Sequence, residues 1–261
     1  ILVGSATRLS KFVMDMPKCY ETILSLGAET STDDASGEVL KRCGFSGIEE
    51  KDIDLALASF MGWRMQAPPE ISAVHIDGRR AHELAREGYA VVTEHKPVFF
   101  RSVIRTGRLS DDGKVPFKIC CSKGTYIRSF ARDIGQLLGC GAHVCELKRI
   151  SCGPFEAAGA VNAASLEMMC REVLIKNILP VESISAAAAT YICSEEDAER
   201  LINGLSIPLE RLERKNFAKW SSSSGNVAVR SDNIFSICRP MDNGRSCDLL
   251  PAVNIINDRS N

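Results

Sequence analysis

The sequence predicts an α/β chain of the α+β kind, a mixed domain of strands and helices followed by a smaller, β-rich one. Three observations predict it. Residues 91–108 and 115–121 read as paired strands joined by the turn-rich Ser110-Asp111-Asp112-Gly113. Just past Gly124 the period changes, and Ile127, Phe130, Ala131, Ile134, Leu137 and Leu138 form a helical stripe that Gly139 stops. An Ala/Ser-rich stretch, residues 183–190, then separates this body from strand-like pieces at 227–229, 234–238 and 249–256.

The remaining elements fall into place around these. Residues 12–27 carry β-type side chains and end at Gly27, and residues 30–37 are a polar loop with turn chemistry. Ile53, Leu57, Phe60 and Met61 recur at helical spacing before Gly62. The prolines of Gln66-Ala67-Pro68-Pro69 break regular structure, and a short helix is expected over 79–87, closed by Gly88. A strand is expected over 146–151, and Leu166, Met169, Cys170, Val173 and Leu174 mark a further helix. Ser194 is placed to cap a helix ending at Gly204, and Ser221-Ser222-Ser223-Ser224-Gly225 reads as a loop.

Composition bounds the function. With 261 residues, 45% hydrophobic and 25% charged, the chain has the make-up of a globular protein, and no apolar run is long enough to span a bilayer. The start, Ile1-Leu2-Val3-Gly4, has neither an initiator Met nor a basic leader, so upstream sequence is expected. Eleven cysteines without C-x-x-C spacing and only four histidines make a zinc cluster a poor fit. Scattered among apolar neighbours, the cysteines are expected to be reduced, buried thiols of a cytoplasmic protein, with a disulfide framework the minor alternative. A net charge of −1 supplies no overall attraction for nucleic acid, so any such contact needs a local basic face.

Chemistry concentrates in a few segments. Cys121-Ser122-Lys123-Gly124-Thr125-Tyr126-Ile127-Arg128 is a strand, a glycine turn and a helix start, a junction that presents backbone N–H groups and a positive dipole end. Arg128 opens the exposed helix face, and its planar fork can hold a carboxylate or phosphate. An ordinary surface turn before an amphipathic helix fits the same pattern. Arg79, Arg80 and Arg86 could meet phosphates or form a solvated face balanced by Glu83 and Glu87. Tyr20 could stack on a base or pack across strands. His143, without matching ligands, reads as a structural hydrogen-bonder after a helix end.

In order, the chain contains Gly4-Ser5-Ala6-Thr7-Arg8, Lys18-Cys19-Tyr20, Leu26-Gly27-Ala28-Glu29-Thr30-Ser31-Thr32-Asp33-Asp34, Gln66-Ala67-Pro68-Pro69, Asp77-Gly78-Arg79-Arg80 and Cys121 to Arg128. Asp133-Ile134-Gly135, Gly139-Cys140-Gly141-Ala142-His143 and Leu147-Lys148-Arg149 follow. This ordered set resembles the TruB-type tRNA pseudouridine synthases over residues 1–155. More weakly, residues 190–256 are similar to the small PUA-like RNA-binding domain that ends many of them. The resemblance implies a bent, mixed and mostly antiparallel sheet flanked by helices, with a catalytic domain at 1–186, an RNA-gripping insertion at about 64–90 and a PUA-like domain at 187–261. It implies isomerisation of a T-loop uridine of tRNA to pseudouridine by a monomer, by base flipping, with no metal and no organic cofactor. Arg128 then matches the arginine that pairs with the catalytic aspartate, and Tyr20 the active-site tyrosine that stacks on the target base. Tyr126 and Leu147 match the substrate pocket. By the same resemblance Lys123, Lys148 and Arg149 are expected to form a basic rim, and Arg79, Arg80 and Arg86 to contact the T arm. The family's Gly-x-Leu-Asp-Pro motif, which carries the nucleophile, falls upstream of Ile1, so the chain as written is expected to be inactive. A non-catalytic tRNA-binding or folding-assisting protein is the alternative. In place of residues common in the family stand Ser31, Ile71, His75 and His82.

Overall fold

A computed structural model describes residues 1–69, 94–216, 225–242 and 247–256, together with the backbone of 75–76 and 79–80. The chain groups into two compact units, Lys18–Ile150 and a second made of Ile1–Pro17 with Ser151–Asn261.

The Lys18–Ile150 unit is built on β1 (Lys18–Leu26), β4 (Gly62–Gln66), β7 (Lys96–Arg105), β8 (Lys114–Cys121) and β9 (Ala142–Cys152). Their order in the sheet is β9-β1-β8-β7-β4. The pairs β1–β8, β7–β8 and β4–β7 are antiparallel, with Tyr20 opposite Ile119 and Gly62 opposite Phe100. Small hairpins add β2 (Ala28–Thr30) to β3 (Val39–Arg42) and β5 (His75–Ile76) to β6 (Arg79–Arg80). Arg79 and Arg80 are therefore strand residues rather than the start of a helix, while Arg86 lies outside the described residues.

Two helices cover one face of the sheet, α2 (Glu50–Ala58) and α3 (Ile127–Leu137). The α2 start is a capping box in which Glu49 and Asp52 exchange side-chain and backbone bonds. Ile127, Phe130, Ala131 and Ile134 of α3 are buried, as the stripe requires, whereas Leu137 is exposed. Phe130 sits at the centre of an aromatic cluster, with ring centroids 4.8 Å from Phe60, 5.7 Å from Phe100 and 6.1 Å from Phe117. Gly135 lets the end of α3 close on the chain entering β9, because a Cβ there would fall 2.2 Å from the Ala142 nitrogen.

The second unit begins with a short 3₁₀ turn (Gly4–Leu9) and α1 (Ser10–Asp15), where a strand was expected from residue 12. Leu9, Phe12 and Met16 repeat at helical rather than alternate spacing, and all three are buried against Ile184, Ala228, Phe235 and Ile255. Its sheet runs β12 (Ile207–Pro208), β16 (Cys247–Ile256), β15 (Ile234–Asp242), β14 (Val227–Arg230), β11 (Thr190–Ile192), β13 (Glu213–Asn216). Of these contacts β11–β14 is parallel, so this is a mixed sheet. A short β10 (Phe155–Glu156) folds back antiparallel on the end of β9, with Phe155 opposite Cys152. The helix expected around Leu166 to Leu174 is two short ones, α4 (Ala163–Leu166) and α5 (Arg171–Lys176). Helix α6 (Glu195–Ile202) starts as expected, the Asp197 N–H donating to the Ser194 hydroxyl.

One cysteine expectation is corrected. Cys19 and Cys120, directly opposite on β1 and β8 with Cα atoms 4.1 Å apart, form a disulfide. Cross-strand adjacency at that distance brings the sulfurs together, which spacing along the chain does not reveal. Cys121 and Cys238 remain thiols, each pushed up to about 11 by burial. No helix among the described residues is long and apolar enough to cross a membrane.

Candidate active site at the strand–glycine–helix junction

The 121–128 junction is fastened from two sides. At Gly124 the backbone turns at φ +77°, a conformation that favours glycine, and delivers the chain into α3. Gln66, buried at the end of β4, grips Tyr126 twice: its amide nitrogen donates to the Tyr126 carbonyl at 3.2 Å, and the Tyr126 N–H donates to its Oε1 at 2.9 Å. The next residue, Ala67, accepts at its carbonyl from Ser129 Oγ at 2.7 Å and from Arg132 Nη2 at 2.9 Å. Replacing Gln66 by Leu strands the Tyr126 N–H and C=O together. The expected result is a loss of about 1–3 kcal/mol in chemical unfolding; an unchanged midpoint would show that the clamp is dispensable.

Arg128 emerges from this junction onto the 30–37 loop. Its Nη1 donates to the Thr32 carbonyl at 3.1 Å and to Asp34 Oδ2 at 3.3 Å. One turn further, Arg132 Nη1 donates to Asp33 Oδ2 at 3.2 Å, and its Nε and Nη2 hold Asp133. The loop is itself rigidly seated, since Ala35 N–H donates to the Val144 carbonyl and Val144 N–H to that of Asp33. Burial pulls the Asp34 carboxyl upward, but bonds from Ser36 and Thr32, aided by Arg128, outweigh it and hold the group below its ordinary value. Asp34 is thus an anion at neutral pH.

Tyr20 lies on β1 and packs, partly buried, against the core cluster that holds Ile127 and Phe130. Thr22, on the same side of β1, donates to the Glu146 carbonyl at 2.7 Å and so ties β1 to β9. Immediately beyond, Leu147, Lys148 and Arg149 are all exposed on β9, and Lys123 is exposed in the turn. Tyr126 has its backbone fixed and its side chain half-buried. His143 bonds the Ala28 carbonyl through Nδ1 at 3.1 Å, the structural role its surroundings suggested. The side chains of Arg79, Arg80 and Arg86 lie outside the described residues.

Sequence reasoning missed Asp34 and Asp33, taking their segment for a turn-forming loop. A signal was present: two adjacent acids face two arginines four residues apart, on one side of a helix. Gln66 was likewise given no role of its own, being read as part of a structure-breaking segment and of the RNA-gripping insertion.

Comparison with known proteins follows these elements closely. Residues 1–127 match the family model described as TruB family pseudouridylate synthase (N terminal domain), and residues 128–185 match the tRNA pseudouridylate synthase B C-terminal domain. The tRNA pseudouridine synthase B of Ruegeria pomeroyi is 40% identical over 205 residues, covering 78% of this chain and 67% of that protein. The chain belongs to the TruB family. The enzyme of the same name from Paracoccus denitrificans is 38% identical over 227 residues, 86% of this chain and 74% of its own length. The chain thus spans roughly two thirds to three quarters of these TruB relatives. Among solved structures, a Cbf5-Nop10-Gar1 complex contains a chain that superposes with a TM-score of 0.67 over 97% of this chain and 70% of its own, at 19% identity. That likeness extends the shared fold to residues beyond the two family models.

Proposed function

We propose that this chain is the larger part of a tRNA pseudouridine synthase that converts a T-loop uridine, at position 55, to pseudouridine. The observation that carries the proposal is Arg128, held at the head of α3 by Thr32 and Asp34 beside an exposed basic strand. Membership of the TruB family, whose similar members are named as tRNA pseudouridine synthases, supports it. In this reading residues 1–186 form the catalytic body and 187–261 an RNA-binding domain of PUA type.

The chemistry sets what the residues must do. Uridine and pseudouridine are isomers: the bond from C1′ to N1 breaks, a bond from C1′ to C5 forms, and the C5 proton moves to N1. No oxidant or reductant enters the balance. The target base first leaves its stack, at a cost of a few kcal/mol that the pocket must recover. Tyr20 stacks on the flipped base, with Tyr126 and Leu147 lining its site. A carboxylate from an aspartate upstream of Ile1 acts as nucleophile, and Arg128 keeps it ionised and aimed. Asp34, already on Arg128, fixes the guanidinium so that its direction is set before substrate arrives. Lys123, Lys148 and Arg149 meet backbone phosphates, as Arg79, Arg80 and Arg86 do along the T arm.

Extending the chain at its N-terminus with the family's Gly-x-Leu-Asp-Pro segment is expected to give pseudouridine in a transcribed tRNA, at the same rate with and without a chelator. An extended protein that binds tRNA without forming pseudouridine would favour the non-catalytic alternative. Activity abolished by the chelator and restored by a divalent ion would overturn the metal-free mechanism.

A further inference from the structure

Arg64 on β4 is the outlier among the half-buried arginines described in the Lys18–Ile150 unit. Arg105 is held by Glu50 and Asp54, Arg128 by Asp34, and Arg132 by Asp33 and Asp133. Arg64 makes no hydrogen bond or ion pair among the described residues, and its Nε and Nη1 are sealed from solvent without an acceptor. Its guanidinium carbon lies 3.8 Å from the centre of the Phe60 ring. A cation–π contact only partly offsets sealing two guanidinium nitrogens from water without an acceptor.

The missing partner has room. Arg64 lines an open cavity of about 650 Å³ with Met65, His95, Arg132, Asp133 and Gln136. The one carboxylate among the described residues of this wall is not available to Arg64, because Asp133 Oδ1 already accepts from Arg132 Nε and Nη2. His95 and the Gln136 amide offer further donors. Ala67, on the same wall, is the residue whose carbonyl ties Ser129 and Arg132 to the clamp on Tyr126. An RNA engaged at the junction therefore has this cavity alongside it.

We infer that Arg64 is a phosphate-binding residue, which with Gln136 and His95 takes a backbone phosphate of the RNA substrate. The inference rests on the tRNA reading above. Phosphate fits better than a carboxylate side chain because the cavity is open and wide, and a tetrahedral anion can engage donors from several walls at once. The long side chain reaches it by rotating its fork away from Phe60.

The test is tRNA binding as a function of salt, for the wild-type chain, Arg64→Met and Arg64→Lys. Each phosphate contact contributes slightly less than one to the slope of log affinity against log salt. Arg64→Met is expected to reduce that slope by about one and to weaken binding at low salt, and Arg64→Lys to restore both. Equal slopes and affinities in a Met variant whose melting temperature matches wild type would overturn the inference and leave the functional reading intact. The same equality, combined with inorganic phosphate raising the melting temperature of wild type but not of the variant, would assign the cavity to a free phosphate and overturn the RNA assignment. A wild-type chain without salt-dependent tRNA affinity would remove both.

Discussion

Arg128→Lys, made in the N-terminally extended protein, is expected to lower the rate constant for pseudouridine formation by about 10²–10³-fold, the loss typical of removing one preorganised electrostatic group. A lysine keeps the charge but offers a point ammonium in place of a planar fork. It cannot hold the Thr32 carbonyl and Asp34 while also presenting a second pair of donors to a nucleophilic carboxylate. The affinity for tRNA should fall only modestly, since the net charge is unchanged. Single-turnover kinetics with a separate binding measurement distinguishes the cases: parallel losses in rate and affinity would make Arg128 a phosphate contact. Asp34→Asn should reproduce part of the rate defect. Because the Asp34 carboxyl is held below its ordinary value, its pairing is complete at neutral pH and is lost only as the pH falls through that lowered value. The Asn variant should lose that acid-side component of the pH profile.

The second large effect concerns stability. Phe130 is fully buried, and three further phenylalanines meet it edge-on or tilted. Truncation to alanine leaves a void between α3 and the sheet that rigid strands cannot close. A loss of about 3–5 kcal/mol is expected in denaturant unfolding of the Lys18–Ile150 unit. A loss below about 1 kcal/mol would mean that the cluster repacks and that α3 is not anchored through this ring. Because Phe130 lies two residues from Arg128, the variant should also lose activity under conditions where it remains folded.

How far the sequence revealed this arrangement depends on the range of the contacts involved. Helix α3 was legible because its burial is periodic and local: Ile127, Phe130, Ala131 and Ile134 declare one face. The Ser194 cap was legible for the same reason. Arg128 and Tyr20 were singled out through resemblance, since Tyr20 alone serves packing and stacking equally well. The partnership of Arg128 with Asp34 was not legible, because 94 residues separate them and only the fold brings the 30–37 loop onto α3. The Cys19–Cys120 bridge was hidden likewise, being a consequence of strand register. The misreading of residues 12–15 as strand had a different cause. Phe12, Val13 and Met14 satisfy a β preference locally, while the i, i+3, i+7 repeat of Leu9, Phe12 and Met16 becomes plain only when the residues before 12 are included.

The placement of α1 constrains the order in which the polypeptide can assemble. Leu9, Phe12 and Met16 are buried by Ile184, Ala228, Phe235 and Ile255, and Arg8 reaches a carbonyl 246 positions away at Asn254. During synthesis these apolar side chains emerge well before the partners that bury them. The Lys18–Ile150 unit, whose core partners lie within a single stretch of chain, can condense while translation continues. Closure of the Ile1–Pro17 segment onto β16 has to await the synthesis of that strand. A nascent chain stalled before Ile255 would leave the apolar face of α1 uncovered.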